Sequence, residues 1–384
     1  MLKIKFENLL VILVLTLIVG YDTLMTTMLN RTIPNLPVIL LICFSLLLCF
    51  RFLYIKKFTF FYILTVILLL VTSSIVFMHT GGTNFLLYSL LILLLYDADI
   101  DVILKTYVIV LGAIVLGVFV LSILGVIPNL QFAQVRSSGF VIRNSFGFIY
   151  PTDFASHCFY LFIAWGYVLR KRLIVLRTLV GLSLAFFIIK FCDARLNALS
   201  VLVATVIFIV MYVTKEKKLK IYGILPYSAA FFSFLMFYLT YFFTWSSSLF
   251  VSLNNLFSMR LFLGKNAIDT YGIHLFGTTG VKFIGYGGST ESVYSYNYVD
   301  SSYIQMLFYY GVVPVVLLVF IYVLASKRFY KQGMFLFLAL LSLITINCMI
   351  EAFWIRPGYN IFIFTLFASL LPIQYKTKDR IELS

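Results

Sequence analysis

Long apolar runs recur along this chain, and they leave few folds open. A bilayer-crossing helix needs roughly 20 predominantly apolar residues. Candidate runs fall at 9–29, 36–55, 58–78, 84–96, 104–127, 153–169, 173–191, 196–213, 221–243, 301–324, 333–350 and 359–373. Of the 384 residues, 62% are hydrophobic and 11% charged, where a soluble domain carries about 25% charge. No water-soluble fold hides that much apolar surface. The expectation is an all-α polytopic membrane protein of about 12 transmembrane helices, a single membrane domain over 1–384. The first run follows Met1-Leu2-Lys3-Ile4-Lys5 with no small-residue cleavage motif after it, so it reads as a retained span. The spans use most of the sequence, so no separate soluble catalytic domain is expected.

Basic residues set the orientation. With twelve spans and the N-terminus inside, 20 of the 29 Lys and Arg face the cytoplasm, and both termini lie there. The run 84–96 is short enough to be re-entrant. Removing it would turn Arg170-Lys171-Arg172 and Lys215 to Lys220 outward, against the positive-inside rule, so it is read as spanning. The net charge of +15 then marks cytoplasmic loops beside anionic headgroups, not a nucleic-acid partner. The outer loops fall at about 30–35, 79–83, 128–152, 192–195, 244–300 and 351–358. The two long ones, 128–152 and 244–300, share a side, and the second is the expected catalytic and substrate loop. Within it, Ser246 to Ala267 has near-helical apolar spacing and reads as a helix lying in the outer interface. Gly285, Gly287 and Gly288 permit tight turns or close backbone approach to a ligand.

The outer loops hold Arg31, Arg136, Arg143, Arg195, Arg260 and Arg356, and four of these outward arginines, Arg136, Arg143, Arg195 and Arg260, call for a reason against the charge bias. Arginine forks hold phosphate oxygens bidentately, and four around one cavity would suit a pyrophosphate. External salt bridges, Arg195 with Asp193 or Arg260 with Asp269, are the plainer alternative. Lys190-Phe-Cys-Asp193-Ala-Arg195 places three charges between two consecutive spans, where ionisable groups are costly. Among the histidines, His274 in the long loop suits proton transfer. His157 follows Asp153 by one helical turn, so both could face one cavity. Asp300 and Asp153 are rival bases. Asp97-Ala-Asp99-Ile-Asp101 reads as a solvated acidic turn, and the cysteines show no metal-ligand spacing. No metal or cofactor is expected.

Several segments resemble the bacterial O-antigen and exopolysaccharide polymerases, the Wzy-like group related to the O-antigen ligases. Phe146-Gly-Phe-Ile-Tyr150-Pro-Thr152-Asp153 looks like that family's Gly-Phe-x-His-Pro-Asn segment, with Tyr150 and Thr152 replacing His and Asn. Asp193-Ala-Arg195 is similar to its charged segment between middle spans, and Arg260 to the arginine opening its long loop. Phe283-Ile-Gly-Tyr-Gly-Gly, then Asp300-Ser-Ser-Tyr303 running on to Gly311, looks like Gly-x-Gly followed by His-Asn-x-Tyr, with Asp300 where ligases have His. The likeness covers about residues 130–325.

The resemblance implies a GT-C-like, multi-pass protein of the bacterial cytoplasmic membrane. It would join oligosaccharide repeat units carried on undecaprenyl pyrophosphate at the outer face, as a metal-independent glycosyltransferase. Flippase and chain-length regulator proteins would be partners. Arg195 and Arg260 would carry the charge work, and His274 or Asp300 would take the acceptor proton. Arg136, Arg143, Asp153, His157, Lys190, Asp193 and Tyr303 would line the pyrophosphate and glycan site, and Tyr271, Tyr294, Tyr296 and Tyr298 could offer ring faces to sugars. A ligase acting on another acceptor shares these features. A transporter or flippase of lipid-linked sugars would instead show broken helices or charge near midplane on several spans. Here Asp22 is the clearest charge inside a span.

Overall fold

The computed structural model describes residues 6–29, 35–54, 60–96, 98–136, 139–170, 173–287, 290 and 296–368. In order come α1 (Phe6–Leu24), α2 (Leu36–Tyr54), α3 (Phe60–Thr80), α4 (Asn84–Leu94), α5 (Ile100–Ile123), β1 (Gln131–Arg136), β2 (Gly139–Asn144), α6 (Pro151–Val168), α7 (Ile174–Phe187) and α8 (Arg195–Val213). They are followed by α9 (Ser228–Tyr241), α10 (Ser248–Leu256), α11 (Arg260–Tyr271), α12 (Ser302–Tyr309), α13 (Val312–Lys331) and α14 (Phe335–Asn347). A π-turn, Ile188–Cys192, extends α7, and 3-10 turns at Lys220–Gly223 and Leu225–Tyr227 lead into α9.

Six helical segments are long and apolar enough to cross a membrane: Tyr62–Thr80, Ile100–Ile123, Ile174–Cys192, Arg195–Val213, Lys220–Tyr241 and Val312–Lys331. Four more apolar helices are shorter. This is the architecture of an α-helical, multi-pass membrane protein. Its outer faces carry large apolar side chains at helical spacing, as Val175, Leu179, Leu182 and Phe186 do on α7. Exposed stripes of this kind need a nonaqueous surrounding.

Helix boundaries follow local chemistry. The Asp99 side chain accepts from the Asp101 amide at 2.8 Å and caps α5. Pro151 opens α6 at a position whose amide needs no partner. The acidic turn is thus a helix start, and Asp101 pairs with Arg170 at the end of α6 (2.9 Å). This contact lies at one end of the bundle with the start of α3, the end of α8 and the end of α13. There Lys218 sits over the Tyr330 ring (5.0 Å) and Lys327 over Tyr227 (4.9 Å). The long loops gather at the opposite end.

α4 is only 11 residues long, nine of them buried. It nevertheless returns the chain to the end where α3 began, because Tyr96 packs on Tyr62 at 3.8 Å. Burial inside the bundle lets a short helix suffice, since its ends meet protein and not lipid.

Three expectations change. Ser246 to Ala267 is not one helix. It breaks at Ser258 and Met259, both left-handed (φ 51° and 70°). The buried Asn254 side chain makes the break, accepting from the Phe262 amide at 3.0 Å. The loop 128–152 contains an antiparallel hairpin, β1 on β2, with Gln131 opposite Asn144. The run 359–373 is not a helix in its described part. Residues 359–368 are buried and hold one 3-10 turn, Phe362–Leu366, while the remainder lies outside the described residues. Tertiary partners take the place of the helical ladder: Tyr107 donates to the Tyr359 carbonyl, and the Asn360 amide donates to Trp354 O at 2.7 Å. Irregular backbone is tolerated at depth when protein surrounds it.

A fourth irregularity splits one apolar run into α12 and α13. Gly311, at φ +91°, is where they meet. The 274–278 segment crosses so closely that a Cβ on Gly311 would lie 2.3 Å from the Gly277 amide nitrogen. Val312 and Val313 donate their amides to His274 O and Leu275 O, both at 3.0 Å.

Candidate active site

A cavity of about 510 Å³ opens at the loop end, within the usual range for ligand sites. The end of α1, the α3–α4 junction, α12 and the 351–356 loop wall it. Its charged floor is one ion pair. Arg356 Nη2 donates to Asp22 Oδ1 at 2.8 Å, and the Gly358 amide donates to Asp22 Oδ2 at 2.9 Å. The loop carrying Arg356 is held by stacked rings. Tyr359 lies between His157 (3.9 Å, 11° between planes) and Phe353 (3.7 Å, 8°). Its hydroxyl donates to Asp153 at 2.8 Å, and Arg356 sits over its ring at 5.0 Å.

Behind one wall is a second charged group. Arg260 is the first residue of α11, an unfavourable place for a cation. It is held there by three acceptors: Ile350 O (2.5 Å from Nε), Phe257 O (3.2 Å from Nη1) and the Asp300 carboxylate (3.6 Å from Nη2). Arg260 is 11% exposed and Asp300 28%. Burial raises the Asp300 carboxyl above its ordinary value, and Arg260 opposes the shift. Glu351, in the loop beyond α14, accepts from Asn197 Nδ2 at 3.3 Å. Burial pushes its carboxyl up to about 8, against the pull of Arg260. Ser302 joins the two groups. It lines the cavity, and its hydroxyl donates to Glu351 O and accepts from the Trp354 amide.

The residues expected from sequence divide clearly. Arg260 and Asp300 come together, and Asp153 is drawn to the same end through Tyr359. His157 does not face a cavity beside Asp153. It is fully buried, donating from Nδ1 to Gly358 O (3.2 Å) with Nε2 beside Thr26 Oγ1 (2.9 Å). Arg195 pairs with Asp193 at 3.0 Å, is 56% exposed and does not line the cavity. Asp269 pairs with Lys265, not Arg260. Arg143 fixes the hairpin to the π-turn through Cys192 O (3.0 Å), helped by Asn144 on Phe191 O (3.2 Å). Lys190, on that π-turn, is exposed. Arg136 ends β1, and its side chain lies outside the described residues, as does Tyr294. Tyr303 is buried with its hydroxyl on Thr345 O (2.8 Å), so it builds the core. His274 is exposed, donates from Nε2 to Tyr271 O (3.1 Å) and does not line the cavity.

The two long loops meet as a cover. Phe132 of β1 and Tyr150 both contact Tyr286 of the 244–300 loop, at 6.1 and 6.2 Å between ring centroids. Asn297 pins the glycine-bearing segment, accepting from the Ile284 amide at 2.6 Å and donating to Lys282 O at 3.2 Å.

Of the cavity tyrosines, Tyr298 is among those expected from sequence to face sugars, whereas Arg356, Asp22, Glu351, Tyr21, Tyr88, Tyr309 and Tyr310 are not legible as a site. Asp22 stood out as a charge within a span and Arg356 as an outward arginine, but 334 residues separate them. Comparison with protein-family models, with curated proteins and with solved structures returns no match for this chain.

Proposed function

We propose that the chain is a polysaccharide polymerase. It would join undecaprenyl-pyrophosphate-linked oligosaccharide repeat units at the outer face of the bacterial cytoplasmic membrane. Twelve passes with both termini in the cytoplasm would put the loop end outside, in keeping with its poverty in Lys and Arg. One observation carries the reading: a largely buried Arg260–Asp300 pair, within the long 244–300 loop, stands behind a tyrosine-walled cavity. A lipid-linked donor can reach such a site from the bilayer, and no nucleotide-binding domain is needed.

The reaction would be a displacement at the anomeric carbon. The acceptor hydroxyl oxygen forms a bond to that carbon, and the bond to the pyrophosphate oxygen breaks with its electron pair leaving on the phosphate. Arg260 would stabilise the charge growing on the leaving group. Asp300 would take the acceptor proton, because a carboxyl raised by burial is a better base than an ordinary one.

A second reading, a flippase of lipid-linked saccharides, is favoured by the α12–α13 break beside an ion pair in a cavity. Deleting the gene separates the two. Single repeat units accumulating on the outside, with no long chains, supports the polymerase; accumulation inside supports the flippase. Full-length chains left unattached to their final acceptor would mark a ligase. Arg260→Ala is expected to abolish chain extension with the protein still in the membrane. Chain lengths unchanged in that variant would remove the role given to Arg260.

A further inference from the structure

Each charged group is one arginine on one aspartate, and the surroundings of the cavity pair decide what ligand the cavity takes. The cavity lining holds one cation and one carboxylate among the described residues, Arg356 and Asp22, and they neutralise one another. Among the described residues no lysine or second arginine lines it. The Asp153 carboxylate lies just behind Arg356, bonded to Tyr359, so no surplus positive charge is supplied from that side. A phosphate or pyrophosphate brought here would be partly desolvated without a countercharge, which is costly. An uncharged ligand meets no such penalty.

The remaining surface is suited to a polyol. Tyr88, Tyr298, Tyr309 and Tyr310 present rings and hydroxyls, and Gln305 presents an amide. Both Asp22 carboxylate oxygens are engaged, by Arg356 and the Gly358 amide. Of the Arg356 guanidinium only Nη2 has a hydrogen-bond partner among the described residues, and the side chain is 30% exposed. One edge of the guanidinium is therefore fixed, and the other offers parallel donors to the cavity. Two adjacent hydroxyl oxygens on a sugar ring can each accept from that edge.

We infer that this cavity is a binding site for an uncharged saccharide unit, recognised by the free edge of the Asp22-anchored Arg356 and by the surrounding tyrosine rings, and that it rejects phosphate. The assignment as acceptor subsite rests on the polymerase reading; the binding itself does not. Charge at the leaving group then belongs to Arg260, and recognition of the hydroxyl-bearing partner to Arg356.

Trp354 lines the cavity and serves as a reporter. The full chain in lipid nanodiscs, free of glycoside detergent, is titrated with neutral disaccharides (lactose, maltose and N-acetyllactosamine) and separately with sodium pyrophosphate. Tryptophan emission should respond saturably to at least one disaccharide. The response should vanish in Trp354→Phe and be unaffected by pyrophosphate. Arg356→Lys keeps a cation for Asp22 but loses the fork, and should weaken binding at least tenfold with an unchanged elution profile. Tyr309→Leu, a change on the cavity wall, should weaken it too. No response to any of the disaccharides, competition by pyrophosphate, or equal binding by Arg356→Lys and Tyr309→Leu would overturn the inference. Saccharide binding in a chain whose gene deletion leaves polymer length intact would keep the site and remove the polymerase.

Discussion

Glu351 lies in a loop yet is 4% exposed, and this makes it a residue whose protonation is coupled to the fold. Burial pushes its folded carboxyl up to about 8, against an ordinary 4.5. Between those values the folded chain holds a proton that the unfolded chain has released. Stability therefore falls as pH rises across that window and levels off above it. Glu351→Gln keeps an acceptor for Asn197 and removes the titration. Its thermal midpoint should exceed that of the wild type above about pH 8 and vary less with pH below it. Parallel pH profiles for the two proteins would contradict the assignment. Gly358 is a second residue set by its surroundings. A Cβ there would stand 2.9 Å from the Thr23 amide nitrogen and 3.0 Å from Asp22 Oδ2. Overpacking of this kind costs about 1–3 kcal/mol, so Gly358→Ala should lower the thermal midpoint and weaken saccharide binding together. At this scale the sequence marks Arg260 and Asp300 by their positions in a polar loop, and the structure pairs them. For Arg195 the salt bridge with Asp193 that the sequence offers is the one observed, and His157 is left open by sequence. A histidine one turn from an aspartate looks the same whether it faces a cavity or, as here, a tyrosine ring.

The elements around the site are interrupted ones. α10 and α11 are separate because Asn254 serves as a cap from the previous helix, satisfying the Phe262 amide that α11 leaves without an intrahelical partner. Losing a cap typically costs about 1 kcal/mol. Asn254→Ala should cost about that much and loosen Arg260, which begins α11; chain extension should fall more than the midpoint does. The α12–α13 junction depends on Gly311 in the same way. With φ at +91° and a neighbouring backbone atom 2.3 Å from any added Cβ, Gly311→Ala should deplete folded protein in membranes, read by protease resistance. Normal resistance would mean that the 274–278 crossing gives way. Apolar periodicity found the helical stretches on both sides of each break. It could not find the breaks, because each is caused by a side chain or backbone segment from elsewhere in the chain.

Over the whole molecule, charge is segregated by end. Asp101–Arg170 and the lysines over Tyr227 and Tyr330 mark one end, and the cavity, the hairpin and the long loop mark the other. The proposed orientation makes a direct prediction. A membrane-impermeant maleimide should label His274→Cys in intact cells and Lys217→Cys only after permeabilisation, in a background with Cys43 and Cys49 replaced. The reverse pattern would invert the protein and remove the outer-face site. The sequence by itself determined that the chain is a bundle of apolar helices, roughly where they lie, and which loops are long, since each of these follows from composition within a single stretch. Only the tertiary structure decided which polar groups meet. Within apolar runs almost any helix can pack on any other, and the partners of Asp22, Tyr359 and Glu351 are chosen by that packing. So is the exclusion of His274 and Arg195 from the cavity. The long loop and its arginine were readable as one side of a site; the opposing side, Arg356 on its neutralising aspartate, existed only once the two ends of the chain had been folded together.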